Sequence, residues 1–304
     1  MASSKPVPFS PPLFLSPTSG IHKSTFIILH GRGSSAEKFA EPLLSHAVAC
    51  SPQTHGEERS FQSYFPNSKF VFPTARLLRA RAYNRSLTHQ WFDMYPLDEY
   101  PAEYRNHIQV QGLGEAVRYV HELIEGAVQE VGAENVVLVG LSQGCATVLT
   151  SVLLWQGRSL GAVVGMCGWL PFSRSLAEAI NEEKERCNER DDVFERDPEA
   201  EHNDKTSFQL VTDILREELG LASRETTKNQ KVTMNQPILE TPVFLGHGTK
   251  DKKVPIKNGK DAVSLLQALG IATECREYEG LGHWYSSPML RDIVTFLPSS
   301  LSEP

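Results

Sequence analysis

Read from its N-terminus, the chain alternates short apolar runs with longer stretches in which apolar residues recur every three or four positions. The strand candidates are Thr25 to Leu29, Lys69 to Phe72, Val136 to Val139, Ala162 to Met166, Pro242 to Leu245 and the more polar Thr273 to Tyr278. The spacing between them predicts helices near Gly112 to Val131, Ser142 to Trp155, Asn258 to Leu269 and Met289 to Phe296. Strands that are apolar throughout must be buried on both faces, so the pattern implies one α/β domain with a mostly parallel sheet flanked by helices. No internal repeat interrupts it.

Two segments break the rhythm. Residues 1–20 carry Pro6, Pro8, Pro11, Pro12 and Pro17 and are expected to be a lead-in to a domain over residues 21–300. From about Ser173 to Gln236 the chain turns strongly charged, and this stretch is expected to be a mobile insertion within the domain, because so few apolar residues cannot offset the entropy of ordering it. Only SFQLVTDILREEL within it has the spacing of a helix. Too few core-forming residues remain there for a second domain.

Composition narrows the function classes. With 304 residues, 40% of them hydrophobic, the chain can bury a sizeable core. A formal charge of -7 offers no broad attraction for nucleic acid or anionic membranes, so no nucleic-acid partner and no stable membrane insertion are expected. The five cysteines, Cys50, Cys145, Cys167, Cys187 and Cys275, are odd in number and scattered, which suits reduced thiols in the cytoplasm rather than disulfides or a metal site. The prolines deny the N-terminus the unbroken apolar core of a signal peptide, and no apolar run approaches the ~20 residues of a membrane span.

The chemistry enters at VVLVGLSQGCATVL. Here Gly140-Leu141-Ser142-Gln143-Gly144 follows a predicted strand and opens a predicted helix, the strand-turn-helix context of a nucleophile elbow. So tight a turn tolerates only glycine two residues before and after the serine. A serine that merely caps the helix is the plainer alternative. A catalytic serine needs a histidine base oriented by a carboxylate, and in this fold they follow in the order Ser, acid, His.

Downstream, ETPVFLGHGTKDKKVP ends a strand in a loop carrying Asp251, and REYEGLGHWYSS ends a later strand in a loop carrying His283. Both loops leave the C-terminal ends of strands, where open α/β sheets build their sites. His283 is the last histidine in the chain, and after Asp251 none precedes it. Asp261 and Glu279 are rival acids, and His247 is expected to shape the turn. Acyl transfer also needs oxyanion donors, expected from the main-chain N–H groups of Gln143 and of Arg32 in the glycine turn TFIILHGRGSS. With no H-E-x-x-H pattern or cysteine cluster, neither a metal nor any other cofactor is expected.

The motifs FIILHGRGSS, FVFPTARLLRA followed by HQWFDMY, GLSQGCATVL, GMCGWLP, GHGTKDKKVP and EYEGLGHWY together resemble the phospholipase/carboxylesterase family, which includes the acyl-protein thioesterases, within the α/β-hydrolase superfamily. The resemblance covers most of residues 25–172 and 240–297. It implies Ser142, Asp251 and His283 as catalytic triad, Arg32 and Gln143 as oxyanion positions, and Trp91 and Trp169 lining the acyl pocket of a metal-free hydrolase of carboxylic esters or thioesters. Two departures stand out: Arg32 and Ser34 replace the apolar residue and Asp common in the family's HG-x-G-D motif, and the charged stretch after GWLP is atypical. The expected partner is therefore an acyl ester or thioester, borne by a small molecule, a lipid or an acylated protein. A small-molecule esterase or lactone hydrolase of a biosynthetic pathway is the enzymatic alternative, and an inactive hydrolase-fold scaffold the non-enzymatic one. The aromatic residues Phe92 and Phe172, with Trp91 and Trp169, fit either a channel or plain core.

Overall fold

The computed structural model describes residues 8–49, 58–191, 206–221 and 236–302. Its centre is a seven-stranded sheet formed by β1 (Leu13–Leu15), β2 (Ser24–Leu29), β5 (Ser68–Phe72), β8 (Val136–Leu141), β9 (Ala162–Met166), β10 (Val243–Gly248) and β11 (Thr273–Tyr278), in the order β1-β5-β2-β8-β9-β10-β11. Every pairing is parallel except the antiparallel edge pair of β1 with β5. Two short antiparallel ribbons lie apart from it: β3 (Ala47–Val48) with β4 (Arg59–Ser60), and the hairpin of β6 (Leu77–Ala80) with β7 (Ser86–His89).

The helices are α1 (Ala36–Leu44), α2 (His107–Val131), α3 (Gln143–Leu154), α4 (Ser173–Asp191), α5 (Ser207–Glu218), α6 (Ile256–Ala268), α7 (Ser287–Phe296) and α8 (Ser299–Ser302). The period-2 geometry of β2 assigns them to two faces. Ile27 and Leu29 join a core with residues of α2, α3, α5 and α6, whereas Phe26 and Ile28 point the other way, into a core with α1 and α7. All four β2 side chains are fully buried, which explains why the strand reads as an unbroken apolar run. Among the described residues no helix is long and apolar enough to cross a membrane.

The six predicted strands and four predicted helices all occur, with ends shifted by up to a few residues. The sequence pattern missed β1, which joins the sheet edge from inside the Pro-rich segment, and α1, whose pattern is broken by Pro42. It also understated residues 173–236. Leu176 and Ile180 of α4, Phe208, Val211 and Leu215 of α5, and Leu219 just beyond it are buried in the main core. Averaging charge over the whole stretch hides this, because the buried positions of α5 recur at helical spacing beneath a polar outer face. A capping box between Thr206 and Gln209 fixes where that helix begins. Residues 192–205 and 222–235, on which the expectation of mobility also rests, lie outside the described residues.

Candidate active site

β8 runs into Ser142 and α3 leaves from it. Ser142 has φ 57° and ψ -119°, outside the comfortable regions for a residue with a side chain, and its N–H is held by the Met166 carbonyl at 2.8 Å. The turn is as tight as the motif requires. A Cβ on Gly140 would come within 2.4 Å of the Gly144 carbonyl oxygen, and one on Gly144 within 2.3 Å of the Leu29 carbonyl oxygen. Ser142 makes no capping hydrogen bond to α3, so the helix-cap reading fails. Its Oγ instead lies 2.9 Å from Nε2 of His283.

Nδ1 of His283 is 2.8 Å from Oδ2 of Asp251. A carboxylate only accepts, so Nδ1 carries the proton and Nε2 is free to accept the serine O–H. Asp251 is itself fixed: its Oδ1 accepts the N–H groups of Lys253 and Val254 at 2.8 and 2.9 Å. His247 donates Nε2–H to the Val254 carbonyl at 2.9 Å and stands 3.3 Å from Oδ2 of Asp251, so it shapes the turn, as expected, and also faces the acid. Burial works to raise the Asp251 pKa, but the hydrogen bonds from His247, His283 and Val254 outweigh it and hold the carboxyl well below its ordinary range. Asp251 therefore stays ionised across the neutral range. Of the rival acids, Asp261 sits on α6 and Glu279 is exposed, and neither pairs with His283.

The glycine turn after β2 closes the other side. The Gly31 backbone passes so near Ser142 that a Cβ there would sit 3.3 Å from the serine Cβ, and Gly33 takes a left-handed φ of 84°. Its N–H binds the His89 carbonyl at 2.8 Å, tying the turn to the β6–β7 hairpin. The Gln143 side chain is locked by the Trp91 N–H at 2.9 Å and the Phe92 carbonyl at 2.7 Å. Among the described residues no protein acceptor takes the main-chain N–H of Arg32 or of Gln143, and both residues line the groove that opens over Ser142. Two such donors beside a nucleophile are what an anionic tetrahedral intermediate requires.

His30, at the root of this turn, uses both ring nitrogens: one faces the Gly31 carbonyl at 2.7 Å and the other the Ala75 N–H at 3.1 Å. That pairing fits only the neutral ring. Burial lowers its pKa to about 4. The unfolded state then binds more protons than the folded one below about pH 6.5, so this contribution is fully present above that pH and is lost as pH falls through about 4. At pH 4.5 wild type should have lost about 2 to 3 kcal/mol relative to pH 7 that His30→Gln does not lose, as read from urea unfolding of both. Equal pH dependence in the two proteins would contradict the assignment.

The groove, about 310 Å³ in volume, is lined by Met94, Pro96, Leu97, Trp169 and Val254 and by the charged Arg32, Asp98 and Lys253, with Tyr83 at its edge. Trp169, a core residue only 2% exposed, borders it. Trp91 does not line the groove: it is 1% exposed, and its indole N–H donates to the His30 carbonyl at 2.8 Å, bracing the glycine turn. Phe92 and Phe172 are likewise core residues. Tyr83, Met94, Leu97, Asp98 and Lys253 were missed by the sequence reading, because residues 90–98 and 249–255 form no strand or helix and Tyr83 sits in a single short helical turn, so no period could assign a face.

Beneath the site the ligand atoms of Cys167, Asp251 and His283 all lie within 4.8 Å of one another, the one such grouping among the described residues. Burial pushes the Cys167 thiol up to about 12, and it is 3.3 Å from the Trp284 carbonyl. A protonated thiol and a histidine already shared between a carboxylate and a hydroxyl make a packed floor rather than a set of free metal ligands.

Comparison with known proteins adds an independent line. The sequence profile of the phospholipase/carboxylesterase family matches residues 14–188 and 206–301, leaving 189–205 between its two stretches, a narrower gap than the charged stretch expected. The carboxylesterase SOBER1 of Arabidopsis thaliana is 27% identical over 279 residues, 91% of each chain. Its crystal structure superposes with a TM-score of 0.59 over 90% of this chain and 97% of that one. Acyl-protein thioesterase 1 of Kluyveromyces lactis is 22% identical over 92% of each chain. A probable inactive carboxylesterase of Oryza sativa subsp. japonica is 25% identical over 88% of this chain and 80% of its own.

Proposed function

The chain belongs to the phospholipase/carboxylesterase family, and from that premise we propose that it hydrolyses carboxylic esters or thioesters through an acyl-enzyme on Ser142. His283 Nε2 takes the serine proton as Oγ attacks the acyl carbonyl, and the N–H groups of Arg32 and Gln143 hold the oxyanion that forms. Collapse of that intermediate breaks the bond to the alcohol or thiol, which leaves with the proton from His283. Water then attacks the acyl-enzyme, giving its proton to His283. The second collapse frees the acid and returns that proton to Ser142 Oγ. Asp251 keeps His283 in the tautomer that both halves need and stabilises the imidazolium.

The observation that carries this reading is the hydrogen-bonded relay from Asp251 through His283 to Ser142, with spacings of 2.8 and 2.9 Å. Family membership alone would not carry it, since a relative of comparable identity is named inactive. An inactive scaffold has no need to keep a strained serine, a base and an oriented acid in register.

Both substrate readings have support: acylated proteins from the thioesterase relative, small esters from the carboxylesterase relative. The groove favours the second. All four aromatic residues that could have lined an acyl channel, Trp91, Phe92, Trp169 and Phe172, are buried in the core, Trp169 alone also bordering the groove, and charged groups stand along its wall. A panel of p-nitrophenyl esters of rising chain length, palmitoyl-CoA, a palmitoylated peptide and a lysophospholipid tests this. The expected outcome is highest kcat/KM on short esters, falling for the palmitoyl substrates. Highest turnover on the palmitoylated peptide would favour the thioesterase reading, and hydrolysis of none would overturn the proposal.

A further inference from the structure

Arg32 has a second face. While its main chain borders Ser142, its guanidinium carbon lies 3.9 Å from the centre of the Tyr83 ring, in the same groove. Tyr83 comes from the short helical turn Arg81–Tyr83 at the tip of the β6–β7 hairpin, where Asn84 and Arg85 take left-handed φ values of 48° and 57°. The Gly33-to-His89 hydrogen bond ties the base of this hairpin to the glycine turn that carries Arg32. Stacking satisfies the face of a guanidinium and leaves its in-plane N–H donors unused.

Among the described residues no carboxylate pairs with Arg32. The nearest acid of the groove lining, Asp98, is 3.2 Å from Lys253 and so already neutralised. The exposed Tyr83 and the half-buried Arg32 thus leave an uncompensated cation in the groove that opens over Ser142. A guanidinium set over an aromatic ring, with no acceptor on its N–H donors among the described residues, matches a carboxylate or a phosphate.

We propose that Arg32 and Tyr83 form an anion-binding subsite, and that the preferred substrate is an ester or thioester bearing a carboxylate or phosphate a few bonds from the scissile carbonyl. The inference rests on the hydrolase reading above. Arg32 would then serve twice, through its main chain on the developing oxyanion and through its side chain on a charge that the substrate carries throughout. The first role accelerates the chemical step and the second selects the molecule.

Two matched pairs separate the acyl side from the leaving-group side: p-nitrophenyl hydrogen glutarate against p-nitrophenyl valerate, and 4-acetoxybenzoate against 4-acetoxybenzamide. The readout is the ratio of kcat/KM for the anionic to the neutral member, taken within each protein so that a general loss of activity cancels. Arg32→Leu should lower that ratio at least ~10-fold in one pair, which corresponds to about 1.4 kcal/mol, and Arg32→Lys should restore part of it. Wild type alone gives a second reading, since raising salt from low to ~0.5 M should depress turnover of the anionic member several-fold and leave the neutral one nearly unchanged. Unchanged ratios in both pairs, or equal salt response, would overturn the subsite while leaving the esterase reading intact. Absence of turnover on every ester would instead overturn the hydrolase reading on which it rests.

Discussion

Ser142→Ala is expected to lower kcat/KM on a short p-nitrophenyl ester by at least ~10³-fold while leaving the melting temperature within a few degrees of wild type. In the proposed mechanism, removing Oγ deletes the group that forms the covalent bond and leaves the slower catalysis by oxyanion donors and binding alone. The fold should tolerate the change, because Oγ makes no capping bond and its partner His283 is only part-buried. Because the three groups act as a unit, the double variant Ser142→Ala/His283→Ala should be about as slow as either single variant. Multiplicative losses would mean that serine and histidine act independently, and retention of more than a few per cent of activity by Ser142→Ala would remove it as nucleophile.

Gly144→Ala should give the largest loss of stability among conservative changes at the site. The added methyl would meet the backbone of Leu29 at 2.3 Å and that of His30 at 2.8 Å, so no rotamer change relieves it and α3 must separate from β2. A cost of about 3 kcal/mol or more follows, a fall of roughly 5 °C or more in melting temperature for a domain of this size. Gly126→Ala is the control, since it lies within α2 with nothing within 4 Å of the new methyl. There the helix gains ~0.5–1 kcal/mol and the melting temperature should rise slightly. If both changes behaved alike, the elbow would not be the constrained turn described.

These two positions also show what the sequence could reveal. The elbow is legible because strand, turn and helix must coincide within a few residues, and Gly140 and Gly144 satisfy a steric demand that hardly any other residue meets. Asp251 and His283 are legible because each lies in the loop just past the C-terminal end of a strand, where open α/β sheets form their sites. The parallel sheet itself is legible because β2, β8 and β9 are buried on both faces and so are apolar almost throughout, with Ser24 and Thr25 at the start of β2 the exceptions.

What stayed hidden has physical causes as well. In α4 the buried apolar residues among the described side chains lie in the first turns, so composition over the full stretch masks Leu176 and Ile180. Trp91 sits next to residues that line the groove, yet its ring turns inward to hold the His30 carbonyl, a choice made by tertiary packing that no local pattern records. The contact of Arg32 with Tyr83 depends on the hairpin docking on the glycine turn, and two left-handed residues in a row give a sequence no period to read.

The central claim, that Ser142 is a nucleophile activated by His283, is tested most directly by covalent trapping. Wild type and His283→Ala are incubated with a fluorophosphonate, digested and examined by mass spectrometry. The account predicts a single adduct on the peptide containing Ser142, formed at least ~100-fold more slowly in His283→Ala, since a serine hydroxyl without its base is a weak nucleophile. An adduct on another residue, or labelling of Ser142 at the same rate with and without His283, would contradict it.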